Sequence, residues 1–311
     1  MRTAVAIALY NGMRFLEKQL DTIRMQTRQP DCVILCDDGS SDNTVEFVQD
    51  YIQKNNLSKT WKLYQNGENL GYIRNFYRAI SLCDADWVFL SDQDDLWKLD
   101  KIEKMCEIAE QNEQIKLLSC KYAIIDGEDK QQHSIVERDA EEDGSVRSID
   151  VNTILRAYRW PGMLMCVRKE FFDRILPAIE KCRVAHDLML AICAADENGF
   201  YEYSYIGAFH RRHENNTARE EHRISKLLNM ERKLFDIAEV IQLWSNLLSR
   251  DLPISEKSRR QISERLELML AREDALKNKS LKKIIAIYGK DKGHYLRTAS
   301  FLCDIWLVCF G

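Results

Sequence analysis

Asp92 and Asp94, separated by one residue in the run Ser91-Asp92-Gln93-Asp94-Asp95, have a spacing that suggests chemistry. In an extended segment, positions i and i+2 face the same side, so both carboxylates can approach one divalent cation. Hard oxygen donors of this kind suit Mg2+ or Mn2+, ions that also take phosphate oxygens and keep water ligands. Such an ion could hold a diphosphate and neutralise it as it leaves. The plain alternative is a solvated acidic turn. A second pair, Asp37-Asp38, precedes Gly39-Ser40; it can hydrogen-bond a ribose or pyrimidine ring, or it can cap a helix and shape the turn. His186-Asp187 opens a helical stretch, where the carboxylate suits either a general base or simple stabilisation by the helix dipole. His210-Arg211-Arg212-His213 is a cationic cluster that fits a pyrophosphate or a solvated strand end.

Alternating strands and helices must position these residues. Thr3 to Leu9, Cys32 to Cys36, Trp61 to Tyr64 and Trp87 to Leu90 are short apolar runs that read as buried strands. Between them lie helical stripes: Leu16, Leu20 and Ile23; then Val45, Val48 and Ile52, capped by Ser41 or Asp42; then Phe76 and Ile80 in a helix from Asn75 onward. This alternation predicts an α/β fold with a mostly parallel sheet flanked by helices, which binds ligands beyond the carboxyl ends of its strands. The acidic pairs and Tyr10-Asn11-Gly12 follow those ends. Further on, the sequence suggests a strand near Leu117 to Ile125, a mobile polar insertion from Asp126 to Asp150, an apolar run Met163 to Val167 and a helix near Phe171 to Glu180. A short strand then ends in the histidine-arginine cluster. From about Arg219 the chain reads as helical.

Composition narrows the class. Lys and Arg number 45 against 49 Asp and Glu, a net charge of −4, which disfavours nucleic acid as a partner. No apolar run approaches the roughly 20 residues that a membrane span needs. The ten cysteines show no CxxC pair, and six of them (Cys32, Cys36, Cys83, Cys120, Cys166 and Cys193) sit in apolar runs, so they read as reduced core thiols of a cytoplasmic protein. The run from Thr3 to Leu9 is too short for a signal-peptide core. GxGxxG, GxxxxGK[ST] and GxSxG motifs are absent, which removes support for dinucleotide enzymes, kinases with that loop and hydrolases with that elbow.

Taken together, VAIALYNG, LCDDGSSDNT, NGENLGYIRNF, VFLSDQDDLW, WPGMLMCVRKE, HDLM and RRHENN, in this order between residues 3 and 217, resemble family 2 glycosyltransferases of the GT-A fold. The similarity is to the bacterial rhamnosyltransferase-like branch. It implies a catalytic domain over residues 1–218, with a nucleotide-binding half (1–100) and an acceptor half (101–218), followed by a C-terminal helical region at 219–311. It also implies inverting transfer of a sugar from a nucleoside diphosphate, dTDP-rhamnose or a UDP-sugar, to an acceptor hydroxyl in bacterial cell-surface polysaccharide synthesis. By motif, Tyr10, Asp37 and Asp38 would contact the nucleoside, with Asp37 favoured, and Arg74 and Asn75 would lie near the base and diphosphate. Asp92 and Asp94 would hold Mn2+ or Mg2+, Asp92 also flanking the ribose, with His213 near the metal. Gly162 would form the turn beneath sugar and acceptor, Arg211 would face the diphosphate, and Asp187 would be the general base. Two departures stand out: Leu9 replaces a small hydroxyl residue, and Leu188-Met189 replaces an aromatic pair after His-Asp.

Other readings remain open at this level. A catalytically silent nucleotide-sugar-binding protein would keep the fold without turnover, and a nucleotidyltransferase would share the metal and the sheet but lacks its basic, Gly-rich signature here. The acceptor class implied is a glycan or a lipid-linked glycan. Lys, His and apolar residues from Ser280 to Phe310 suit peripheral contact with the inner face of the plasma membrane, while the helices before them suit packing on the catalytic domain or in a homodimer.

Overall fold

The computed structural model describes residues 1–132, 142–212, 228–248, 251–290 and 298–311. They form two units. The first comprises residues 1–149, 160–181 and 185–215, and the second comprises residues 150–159, 182–184 and 216–311.

The first unit opens with β1 (Thr3–Leu9), α1 (Met13–Arg24), β2 (Cys32–Asp37), α2 (Thr44–Lys54), β3 (Trp61–Gln65), α3 (Tyr72–Ser81) and β4 (Trp87–Ser91). These are the predicted strand-helix alternations. After them come β5 (Leu96–Trp97), α4 (Lys101–Gln111), β6 (Leu117–Ile125), β7 (Gln131–Gln132) and β8 (Val146–Ser148). A 3-10 turn (Gly162–Leu164), β9 (Met165–Arg168), α6 (Lys169–Ile179), α7 (His186–Asp196) and β10 (Phe200–Arg211) complete the unit; α5 (Val151–Arg156) belongs to the second. Alternate residues of β1 divide its two faces. Val5, Ile7 and Leu9 join Val33, Leu35, Leu16, Leu20 and Met105 in one buried cluster, while α3 packs on β1 and β2.

The sheet order is β3-β2-β1-β4-β9-β6-β10-β5. The pairs β3-β2, β2-β1, β1-β4 and β6-β10 are parallel, whereas β9 is antiparallel to both β4 and β6, and β5 to β10. The sheet is therefore mostly parallel, as expected, with β9 and the short strand β5 reversed. Two successive antiparallel pairings restore the direction, so β1 to β4, β6 and β10 all end at one rim. The reversed strand β9 begins there, which brings the Gly162 turn to the same edge. Three expectations change. The strand expected to be short, β10, has 12 residues; part of the expected polar insertion supplies sheet strands β7 and β8; and Asn43 precedes α2, with Asp42 Oδ1 accepting the Thr44 N–H at 3.0 Å.

The second unit contains α5, α8 (Met230–Leu248), α9 (Glu256–Lys277), α10 (Leu281–Lys290) and α11 (Thr298–Phe310). Ser255 caps α9 through the Ser258 N–H, and Arg265 Nε donates to the Leu155 carbonyl at 3.2 Å. Ile237, Met269, Leu276, Ile284, Ile287 and Leu307 form its apolar core.

Candidate active site

The loop after β4 is the most acidic part of the rim. Gln19 Nε2 of α1 donates to Ser91 Oγ at 2.6 Å, and Ser91 Oγ donates to the Asp92 carbonyl at 2.9 Å, so the loop leaves the sheet in one direction. The chain then bends at Gln93 and Asp94 instead of running extended, so Asp92 and Asp94 are not an i, i+2 pair on one face of a strand as expected. The carboxylates nevertheless act on one another. Burial, then the charges of Asp95, Asp94 and Asp187, raise the Asp92 carboxyl well above the usual carboxylate range.

Asp95, which the sequence did not single out, is buried. Its Oδ1 accepts the Arg211 N–H at 2.9 Å and lies 3.0 Å from His210 Nδ1, while its Oδ2 is buried without a hydrogen-bond partner. Burial opposes charge on His210, but the hydrogen bond to Asp95 and the charges of Asp92 and Asp94 outweigh it, so His210 is raised above its ordinary value. An orphaned carboxylate oxygen and a raised neighbouring acid are features that a divalent cation would relieve, and oxygen donors suit Mg2+ or Mn2+. Among the described residues no three His, Cys, Asp or Glu side chains form a ready-made cage, so the fit is to an open site completed by phosphate and water. His213 lies outside the described residues.

Gln93 joins this loop to the first one. The Tyr10 N–H donates to Gln93 Oε1 at 2.9 Å, and Gln93 Nε2 donates back to the Tyr10 carbonyl at 2.9 Å. A Cβ at Gly12 would come within 2.4 Å of that Oε1, so only glycine leaves room for the clasp. Asn11 turns at φ 49° and its Oδ1 accepts the Ser41 N–H at 2.8 Å, which ties the first loop to the second. The Tyr10 side chain is left half exposed on the rim.

Both members of the second acidic pair are buried and engaged in shaping loops. Asp37 accepts the Gly39 and Ser40 N–H groups at 3.1 and 3.0 Å, together with the Ser40 hydroxyl. Asp38 accepts the Leu70 and Gly71 N–H groups, each at 2.8 Å, and Asn66 Nδ2 at 2.7 Å. Asn75 is also buried: its Nδ2 donates to the Cys36 carbonyl at 2.8 Å and its Oδ1 accepts Asn66 Nδ2 at 2.9 Å. Arg74 is exposed and lines a cavity of about 420 Å3 with Tyr77, Arg78, Leu176, Glu180 and Lys181.

At the start of α7, His186 is buried, stacks on Phe76 with ring centroids 4.0 Å apart, and has no hydrogen-bond partner at either ring nitrogen. Burial lowers its pKa, against the pull of Asp187, and the ring packs as an apolar plate. A Cβ at Gly162 would meet its Nε2 at 2.6 Å, which explains the glycine in WPG. Trp160 Nε1 anchors that turn on the buried Glu202, which also accepts Arg147 Nε at 2.9 Å. Asp187 Oδ1 accepts the Leu188 N–H at 2.7 Å in the first turn, and the carboxylate is half-buried. Its charge adds to burial in raising Tyr72, and the Tyr72 and His186 rings lie edge to face with centroids 6.2 Å apart, so the start of α7 packs beside the start of α3.

A glycosyl transferase family 2 model matches residues 4–172, more than half of the chain. The chain belongs to glycosyl transferase family 2. A glycosyltransferase of Nostoc sp. (strain PCC 7120) is 24% identical over 201 residues, which cover 63% of this chain and 60% of that protein. The dTDP-rhamnosyl transferase RfbG of Shigella flexneri is 35% identical over 100 residues, 31% of this chain and 34% of that one. Matches to these relatives thus span between about a third and three-fifths of their length. Among solved structures, S. aureus TarS 1-349 in complex with UDP-GlcNAc superposes with a TM-score of 0.62 at 16% identity over 99% of this chain and 89% of that one. The mannosyltransferase PcManGT from Pyrobaculum calidifontis, in complex with GDP-Man and Mn2+, gives 0.54 at 15% identity, covering 99% and 87%. The fold is GT-A.

Within this family 2 fold, Arg211 does not reach outward. It is fully buried; its Nε donates to the Asp94 carbonyl at 2.8 Å, its Nη1 to the Asp126 carbonyl at 3.1 Å and to Asp129, and its guanidinium lies 4.5 Å from the Phe15 ring centroid. It sets the acidic loop and the turn after β6, in place of the expected contact with diphosphate. Lys101 does similar work below the loop. Its Nζ donates to the Met163 carbonyl at 2.6 Å and lies 3.6 Å from the Trp97 ring centroid, and burial lowers its pKa to about 8. Hydropathy alone marked neither buried cation.

Proposed function

We propose that this family 2 glycosyltransferase is inverting and metal-dependent, and that it transfers a sugar from a nucleoside diphosphate to the hydroxyl of a glycan or lipid-linked glycan acceptor in bacterial cell-surface polysaccharide synthesis. The observation that carries the reading is the acidic loop after β4, with its unpartnered Asp95 oxygen, on the rim that also holds Tyr10 and the Gly162 turn, against which His186, the neighbour of Asp187, packs. The relative RfbG favours dTDP-rhamnose, and TarS favours a UDP-sugar.

The chemistry follows from the acidity of an alcohol, which is far too weak to ionise at neutral pH. Asp187 accepts the acceptor hydroxyl's proton as that oxygen bonds to the anomeric carbon. The bond from that carbon to the diphosphate oxygen breaks on the opposite face, the carbon passing through an oxocarbenium-like state, and the centre inverts without a covalent enzyme intermediate. Bound at Asp92 and Asp94, Mn2+ or Mg2+ would supply charge to neutralise the leaving diphosphate. Tyr10 contacts the nucleoside at a height set by the Gln93 clasp, with Asp37, Asp38 and Asn75 holding the surrounding loops. Arg74 contributes positive charge near the diphosphate. Arg211 acts through the Asp94 backbone, and Gly162 lets His186 close the floor beneath the sugar.

A screen of thymidine- and uridine-linked nucleotide sugars, for binding and hydrolysis with and without Mn2+, tests the reading. Asp94→Ala should lose metal-dependent donor binding, and Asp187→Asn should bind donor without transferring it. Undiminished transfer by Asp187→Asn would remove its role as base.

A further inference from the structure

The last helix of the second unit is apolar on two opposite faces. At about 100° per residue, Asp304, Leu307 and Val308 of α11 share one side and are buried. Leu302, Trp306, Cys309 and Phe310 share the other, and Leu302, Trp306 and Phe310 are 57%, 40% and 75% exposed. Trp306 and Phe310 extend this line with ring centroids 6.2 Å apart. The neighbouring α10 packs on α11 through a Tyr288–Phe301 stack at 4.1 Å and also leaves Leu281 and Ile285 open to solvent. Isolated exposed leucines need no explanation, but a line of large apolar side chains along a helix marks a surface that something covers.

The charges around this surface select the occupant. Between Ala275 and Lys290 the chain has five lysines, Lys277, Lys279, Lys282, Lys283 and Lys290, and no carboxylate. Lys277 and Lys283 pair backward with Glu273 and Asp274. The acid of α11, Asp304, is buried against Arg272 and Lys233, so it gives the exposed face no negative charge. A second copy of the chain on a two-fold axis would bring the same lysines together, whereas an anionic surface complements them. With 13 residues, α11 is about 20 Å long against about 30 Å of hydrocarbon, so it is suited to lying in the interface rather than spanning it.

We propose that Leu302, Trp306 and Phe310 of α11, with Leu281, Ile285, Lys282 and Lys290 of α10 and Lys279 just before it, dock the second unit on an anionic lipid bilayer. The inference rests on this unit alone and does not require the assignment of Asp187 or of the metal.

Co-sedimentation of the full chain with phosphatidylcholine vesicles, with and without about 30% phosphatidylglycerol, tests it. The wild type should sediment with the anionic vesicles and release at high salt. The exposed triple substitution Leu302→Ser, Trp306→Ser, Phe310→Ser and the charge substitution Lys279→Gln, Lys282→Gln, Lys290→Gln should each weaken binding by about tenfold or more. Donor hydrolysis in solution and circular dichroism should be unchanged in both, separating this result from failure of the catalytic reading or of folding. Absence of wild-type binding to anionic vesicles, or equal binding by the triple variant, overturns the proposal. So does a micromolar dimer that the triple variant dissociates while vesicle binding is nil, since a second copy would then cover the face.

Discussion

The loop after β4 and the helical second unit each bury an aspartate, and the two are compensated in different ways. Asp304 meets Arg272 at 2.6 and 3.0 Å through both oxygens, with Lys233 at 3.7 Å. Asp95 meets a backbone N–H and His210 through one oxygen, leaves the other unpartnered, and lies in the same loop as Asp92 and Asp94. A buried charge that is fully paired belongs to the packing of its unit. A buried carboxylate that keeps an unpartnered oxygen beside other acids lowers stability, and active sites are where such arrangements concentrate.

The contrast breaks most sharply if substitutions in the two regions fail to separate activity from stability. Asp187→Asn should lower kcat for transfer by about 10^2 to 10^4-fold, the usual worth of a positioned base, while leaving thermal unfolding nearly unchanged. Steady-state kinetics beside a melting curve measures both. Asp304→Asn should do the opposite. Leaving Arg272 and Lys233 without their carboxylate is expected to destabilise the fold by about 3–5 kcal/mol in urea titration, with the kcat of the folded fraction retained. Loss of kcat without loss of stability would move Asp304 into the functional class.

Asp92 offers a pH test with a defined sign. Its carboxyl is raised in the fold, so the folded state binds more protons than the unfolded chain between the unfolded and folded pKa values, and stability falls as pH rises through that window. Asp92→Asn removes this loss. The variant should match or exceed wild-type stability at neutral pH without added metal, and the advantage should vanish in acid below the unfolded carboxylate pKa. A wild type that is the more stable of the two at neutral pH would contradict the claim that this loop is under-compensated. The smallest effect is expected at Gln93. Gln93→Leu removes two hydrogen bonds that each contribute about 0.5–1.5 kcal/mol, and both backbone groups are on the exposed Tyr10. A several-fold rise in donor KM with little change in kcat would fit a clasp that positions the nucleoside loop; an equal fall in kcat would place Gln93 in the chemical step instead.

Much of the first half of the fold was legible because continuous apolar strands and helical stripes recur locally. β1 to β4 and the loops after them lie where the sequence placed them. The reversal of β9 was not legible: Met165–Arg168 reads the same whichever way it runs, and pairing with Trp87–Phe89 decides its direction. Asp37, Asp38 and Asn75 carry the same functional groups whether they face a ligand or their own backbone, and the hydrogen bonds found here are to the protein. Gln93 and Asp95 lay inside the recognised motif but had no chemical signal of their own until Tyr10 and Arg211 met them.

By itself, the sequence determined the element types, the rim on which acids collect and the membership of the chain in its family, since these depend on local periodicity and on motif order. Only the tertiary structure decided which polar side chains are satisfied internally and which remain available. It assigned Arg211 and Lys101 to positioning and His186 to packing against Gly162. The physical reason is that burial and partner geometry set the free energy of a charge, and both come from residues far away along the chain.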